Sequence, residues 1–274
     1  MSQVINLKAF DITSIPDDAT IIIIGKRGTG KSWLVKDLLY HKRHLPVGTV
    51  ISGTAETNEF FDEFVPRIFI HSQYKGDILN RLFNRQSDII KKVKTDNRYK
   101  NVIPYAFLVM DDCLYDKTWA NTEEIRRLFM NGRHSKIMSI ITMQYPLGIG
   151  PSLRTNVDYI FILREPILKN RRTIYEQYAG MFPDLDIFNQ VLDQVTENYG
   201  CLVINNRIQS NQLENQIFWY RSKPHETFKL GSQRLWEFNN KYTDDDEKDT
   251  SFDTSIYNKK RYAITVKKCD SASS

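Results

Sequence analysis

The chain has 274 residues, 41% of them hydrophobic and 26% charged, with a formal net charge of +5. That allows one α/β domain with a sizeable core and excludes a fibrous or wholly disordered protein. No segment approaches the roughly 18 continuous apolar residues of a membrane span, and the N-terminus lacks the basic start and apolar stretch of a signal peptide. Cys113, Cys201 and Cys269 are scattered and odd in number, which argues against a disulfide framework or zinc site and for a reducing compartment.

Residues 1–19 read as a lead-in. Thr20–Ile24 is β-branched throughout, the pattern of a parallel strand buried on both faces. It runs directly into Gly25-Lys26-Arg27-Gly28-Thr29-Gly30-Lys31-Ser32, after which Leu34, Val35, Leu38 and Leu39 recur at helical spacing. Val47–Ser52 and Arg67–His71 are the next strand candidates. Between Asp77 and Val93 the apolar residues keep a helical period with basic residues between them, predicting an amphipathic helix with a positive outer face. From Lys75 to Lys100 eight basic residues outnumber three acidic ones, an excess equal to that of the whole chain. Tyr105–Met110 is a buried strand ending at Asp111-Asp112, Thr122–Met130 a helix, Lys136–Met143 a strand ending at Gln144, and Asp158–Leu163 another strand. This alternation predicts a mostly parallel sheet with helices on both faces.

Arg171–Ala179 and Asp184–Val195 read as helices. Tyr199–Asn205 and Gln216–Tyr220 read as a small antiparallel addition near the C-terminal end, and Gln233–Asn239 as a last short helix. Residues 1–240 form the expected domain. Residues 241–274 turn polar, with an acidic stretch from Asp244 to Asp249 and a basic one at Lys259-Lys260-Arg261, and read as a disordered tail.

Gly25, Gly30, Lys31 and Ser32 satisfy G-x-x-x-x-G-K-[S/T], and the strand before and helix after supply the context that a phosphate-binding loop requires. Glycines let successive N–H groups turn inward toward phosphate oxygens, and the helix adds its positive N-terminal end. Lys31 reaches the β- and γ-phosphates, and the Ser32 hydroxyl is placed to ligate Mg²⁺. Asp111 is the candidate to hold Mg²⁺ largely through water, and Asp112 the candidate to orient and polarise an attacking water. Gln144, at the end of its strand, falls where ligands bind in open α/β sheets and is a candidate to sense the γ-phosphate. Taken singly, the Asp-Asp pair also suits a helix cap or turn, and Gln144 a solvated loop residue.

The ordered set Gly25–Ser32, Leu108-Val109-Met110-Asp111-Asp112, Asn131-Gly132-Arg133-His134, Ile140-Ile141-Thr142-Met143-Gln144-Tyr145 and Leu153-Arg154-Thr155-Asn156 resembles the poxvirus-type DNA-packaging ATPases of nucleocytoplasmic large DNA viruses, within the FtsK–HerA superfamily. The resemblance spans roughly residues 20–205. It implies a RecA-like P-loop NTPase sheet with an additional strand between the P-loop strand and the Asp-Asp strand. It also implies ATP and Mg²⁺ as ligands, a homo-oligomeric ring (hexamer or pentamer), double-stranded DNA as the translocated partner, and capsid or inner-membrane vertex proteins at viral assembly sites in the host cytoplasm. A ring motor needs an arginine beside its neighbour's γ-phosphate; Arg154 and then Arg133 are the candidates. Two departures stand out: the second carboxylate is Asp where many ATPases have Glu, and no segment is left for a nuclease domain.

The basic stretch from Lys75 to Lys100 suits a grip on DNA phosphates, though a solvated helix face reads equally well. A P-loop kinase acting on a nucleotide or small molecule is the competing enzyme class, with Arg171-Arg172 as a candidate lid pair. A GTPase is disfavoured by the lack of an Asn-Lys-x-Asp motif, and an inactive interaction protein by the intact Lys31, Ser32, Asp111 and Asp112.

Overall fold

The computed structural model describes residues 5–56, 58–113 and 119–249, with 242–249 by backbone alone. Its strands are β1 (Lys8–Ala9), β2 (Thr20–Ile24), β3 (Gly48–Ser52), β4 (Ile70–His71), β5 (Ala106–Asp111), β6 (Ile137–Met143), β7 (Tyr159–Ile162), β8 (Gly200–Asn205) and β9 (Ile217–Arg221). They form one sheet in the order β1-β9-β8-β7-β2-β6-β5-β3-β4. From β7 to β4 every pairing is parallel; β8 alone runs against its neighbours, and β9 and β1 return to the common direction. The expected mostly parallel α/β sheet is therefore present, with β6 inserted between the P-loop strand β2 and the Asp-Asp strand β5.

The strands are apolar on both sides because helices cover both faces. On one face α1 (Lys31–His41) sets Leu34, Val35, Leu38 and Leu39 against Ile21, Ile23, Val109 and Ile140. On the other, α2 (Gly76–Thr95), α3 (Glu123–Asn131), α5 (Leu168–Tyr178) and α6 (Leu185–Val195) pack against Ile22, Ile24, Leu108, Met110 and Ile141. Alternate residues of β2 thus serve two cores, as the period of two dictates. Each fully buried isoleucine contributes about 1.5–3 kcal/mol of transfer free energy. Helix α2 is amphipathic as expected: Ile78, Leu79, Leu82 and Phe83 face inward while Arg81, Lys91, Lys92 and Lys94 are exposed. No helix among the described residues is long and apolar enough to cross a membrane.

Five segments differ from the sequence reading. Arg67–Phe69 is a 3₁₀ turn in which Phe69 N–H donates to Pro66 C=O, so only Ile70–His71 joins the sheet, as a short edge strand. The lead-in contributes β1, whose two residues pair in parallel with β9. The polar loop before β9 carries a one-turn helix, α7 (Leu213–Gln216), and a second one-turn helix, α4 (Pro151–Arg154), precedes β7. The last helix, α8 (Gln233–Asp249), continues ten residues beyond Asn239; residues 250–274 of the expected tail, including Lys259-Lys260-Arg261, lie outside the described residues.

Packing between β3 and β5 is tight enough to exclude a methyl group. A Cβ on Gly48 would stand 2.2 Å from the Phe107 ring, which is itself buried. Gly48→Ala is expected to cost about 1–3 kcal/mol and to lower the urea midpoint; an unchanged midpoint would mean that Phe107 has room to move. Burial also pushes the imidazoles of His41 and His71 down from the ordinary value of 6.5, with Asp37 opposing the shift at His41. The unfolded chain then takes up protons first, so this contribution is intact above about pH 6.5 and drains as pH falls below it. Unfolding titrations at pH 7 and 5.5 should show lower stability at 5.5, with a smaller difference in His71→Gln.

Candidate functional site

The parallel register brings the C-terminal ends of β2, β3, β5 and β6 to one edge, with Ile24 opposite Met143 and Ser52 opposite Asp111. The Gly25–Ser32 loop rises from that edge into α1. Gly28 and Gly30 have φ of +79° and +101°, a region open to glycine at little cost, and Gly30 is the residue from which α1 starts. Gly25 is required for a different reason: a Cβ there would stand 2.7 Å from Thr29 Oγ1 and 2.9 Å from Leu163 Cβ.

Lys31 is buried, and its ammonium group folds back over the loop. Nζ donates to Gly25 C=O (2.8 Å) and Lys26 C=O (3.2 Å) and lies 3.8 Å from Asp112 Oδ2. Burial lowers its pKa, against the attraction of Asp112 and Asp111. Lys26 is held from the side: its Nζ is 3.3 Å from Oε1 of Glu165, a buried carboxylate just after β7.

The two carboxylates are built differently. Asp111 is buried, with Oδ1 accepting from the Thr142 hydroxyl (2.7 Å) and Oδ2 from that of Ser52 (3.3 Å). Burial raises its pKa and Asp112 adds to the rise, while Thr142, Lys31 and Ser52 oppose it. Asp112 follows the strand at φ +49°, with its N–H donating to Thr142 Oγ1 (3.0 Å). One hydroxyl on β6 therefore fixes both acids. Gln144 Nε2 donates to Asp112 Oδ2 (2.7 Å), whereas Asp112 Oδ1 is buried without a hydrogen-bond partner among the described residues. A buried, unpartnered carboxylate oxygen beside Asp111 and Ser32 makes an all-oxygen donor set, which fits a hard cation such as Mg²⁺ and water bound near it.

Lys31, Ser32, Asp111, Asp112 and Gln144 line one cleft of ≈ 840 Å³ together with Trp33 and Tyr199. Lys26, Arg27 and Gly28 are shared with a second cavity of ≈ 930 Å³ on the β7–β8 side, where Arg164 and Tyr199 also contribute. The two expected trans-acting arginines line neither cavity. Arg133 pairs with buried Asp158, whose Oδ2 accepts from Thr20 N–H at the start of β2, so Arg133 sits at the opposite edge of the sheet from the loop. Arg154 donates to Ile149 C=O (3.2 Å) and lies 5.5 Å from the centre of the Tyr178 ring. Arg171, the candidate lid residue of the kinase reading, is buried and bonds Asp193 with both Nη atoms. The sequence reading missed Thr142, Ser52, Glu165 and Tyr199. Thr142 alone carried a signal there, as a hydroxyl near the end of a mostly apolar strand, two residues before Gln144.

The parallel sheet and the glycine loop that rises from its edge into α1 are those of a P-loop NTPase. No protein-family model matches the chain. Over 238 residues it is 40% identical to uncharacterized protein L437 of Acanthamoeba polyphaga mimivirus, covering 86% of this chain and 84% of that protein. It is 38% identical to uncharacterized protein 075L of Invertebrate iridescent virus 6, covering 81% of this chain and 87% of that one. The chain belongs to this family of large-DNA-virus proteins. Among solved structures, the genome packaging NTPase B204 of Sulfolobus turreted icosahedral virus 2, in complex with AMPPCP, shares the fold with a TM-score of 0.51 at 16% identity, covering 77% of this chain and all of that one.

Burying Asp111 beside a second carboxylate destabilises the ligand-free fold. Asp111→Asn keeps an acceptor for Thr142 and removes the charge. It is expected to stabilise the ligand-free protein by about 0.5–2 kcal/mol, read as a rise in thermal midpoint without added cation. A fall in the midpoint would show that the carboxylate is already compensated.

Proposed function

We propose that this protein is an ATP-hydrolysing motor that drives double-stranded viral DNA into a preformed capsid, working as a homo-oligomeric ring. The observation that carries the ATPase reading is the convergence of Lys31, Ser32, Asp111, Asp112 and Gln144 on one cleft at the sheet edge. The packaging reading draws on the family's occurrence in large DNA viruses and on the shared fold with a viral genome packaging NTPase. A kinase is less well supported, because Arg171 is committed to Asp193.

In this reading the loop amides and the N-terminal end of α1 bind the phosphates, and Lys31 exchanges the carbonyls of Gly25 and Lys26 for β- and γ-phosphate oxygens. Ser32 and Asp111 would hold Mg²⁺, which when bound would supply positive charge against the phosphate oxygens. Asp112 Oδ1 accepts a hydrogen bond from the water that attacks the γ-phosphorus, and Gln144 keeps Oδ2 in place. Attack breaks the bond to the ADP oxygen, which leaves with its electron pair; one proton of the water passes to Asp112 and the other stays on the phosphate that forms. Arg154 or Arg133 would stabilise the developing charge in a neighbour's site after leaving its present partner. The exposed Lys91, Lys92, Lys94 and Lys100 are available to DNA phosphates, a contact that would weaken with salt.

The test is steady-state ATP hydrolysis with and without long duplex DNA. Duplex DNA should stimulate it, Lys31→Ala and Asp112→Asn should abolish it, and Thr142→Val should lower it about 10- to 100-fold. Arg154→Ala should be inactive alone and regain activity when mixed with Lys31→Ala subunits. Hydrolysis indifferent to DNA and to the arginine would leave an ATPase with another purpose, and phosphoryl transfer to a nucleoside monophosphate would replace the motor by a kinase.

A further inference from the structure

The turn that joins α6 to β8 is strained at two consecutive residues. Asn198 and Tyr199 have φ of +50° and +62°, a region that non-glycine residues, bulky ones above all, rarely occupy. The next residue must be glycine for want of space: a Cβ on Gly200 would stand 2.1 Å from Val195 C=O and 3.1 Å from Glu197 C=O. Ahead of the turn Thr196 is buried, its hydroxyl donating to Leu192 C=O (2.6 Å). This costly, closely packed turn holds an aromatic side chain that is itself 68% exposed.

Tyr199 also occupies a particular place. Because β8 runs antiparallel to β7, it begins at the edge where the parallel strands end. Tyr199 therefore stands beside the phosphate loop: its Cδ1 lies 3.5 Å from where a Cβ of Gly30 would be. The ring lines both cavities that flank the loop. Trp33, one residue past Ser32 and 57% exposed, lines the cleft that holds Lys31 and Asp112. An apolar face left in water at this position gains most from a flat, apolar partner that arrives with a phosphate chain.

We propose that Tyr199 is the nucleobase platform of this site, stacking its ring on the base of the nucleotide whose phosphates the Gly25–Ser32 loop holds. The proposal rests on the ATPase reading and deepens it. Stacking accepts any base because every base has a π-face, so Tyr199 contributes affinity for the nucleoside without choosing between adenine and guanine. The Tyr199 hydroxyl makes no hydrogen bond among the described residues, so phenylalanine can replace it.

The experiment is calorimetric titration of the full chain and of Tyr199→Ala and Tyr199→Phe with AMPPNP, GMPPNP and inorganic tripolyphosphate, each with Mg²⁺, after thermal unfolding has shown the variants to be folded. Tyr199→Ala should bind both nucleotides about 10- to 100-fold more weakly and tripolyphosphate as the parent does, and Tyr199→Phe should match the parent throughout. Equal loss for tripolyphosphate would overturn the proposal in favour of a residue that shapes the loop. Unchanged nucleotide affinity would overturn it too, with a DNA or subunit contact then read from DNA stimulation or ring size. A parent chain that binds none of the three ligands would instead overturn the ATPase reading itself.

Discussion

The site depends on one constraint: several parallel strands must end at the same edge of the sheet. The register from β3 through β5, β6 and β2 sets Ser52, Asp111, Met143 and Ile24 nearly level. Each chain continuation then starts from one line, and the phosphate loop, the two carboxylates, Gln144 and Glu165 become neighbours although well over a hundred residues separate them. A parallel sheet needs both faces covered by helices, so the two apolar cores that stabilise the fold are also what align this edge.

At that edge the protein tolerates an arrangement that a purely structural site would avoid. Two adjacent carboxylates, one of them buried, face a buried lysine, and one carboxylate oxygen is left without a donor. Lys31 meets its hydrogen-bonding needs with loop carbonyls and offers Asp112 only a 3.8 Å approach. The unmet charge and the unmet acceptor are both relieved by the same ligands, a divalent cation and the phosphates it accompanies. Of the four non-glycine residues with positive φ among the described residues, Asp112, Asn198 and Tyr199 lie at this edge, and Lys136 lies immediately before β6. At the opposite edge the buried carboxylate is paired: Asp158 accepts from Thr20 N–H and meets Arg133 and Arg207.

The reversal of β8 adds a second function to the sheet's closure. Antiparallel pairing with β7 and β9 turns the C-terminal third of the chain back on the parallel core, and it delivers the turn before β8 and the segment after β9 to the phosphate-loop edge. Ser222, Lys223 and Pro224 reach the cleft this way. They are anchored by buried Asp37 on α1, which accepts from Tyr220 OH (2.7 Å), Lys223 N–H (3.0 Å) and His225 Nε2 (2.5 Å). The helix that starts at the phosphate loop and the strap that borders the cleft are thus tied together through Asp37.

The sequence alone determined the phosphate loop, the strands that carry Asp111, Asp112 and Gln144, and the amphipathic α2, because each is written in local terms: a glycine spacing, an unbroken β-branched run, a helical period. Local pattern also led to the parallel core and to the antiparallel β8–β9 pair. Only the tertiary structure decided that Thr142 ties the two acids together, that Glu165 holds Lys26, that Arg133 lies at the far edge, and that Tyr199 stands outside its strand beside Gly30. These are contacts between residues far apart in the chain, set by strand order and direction, and no local spacing encodes them. The short β1 and β4 eluded the pattern for the same physical reason, since a two-residue strand has no period of its own and exists only where a neighbour offers its edge.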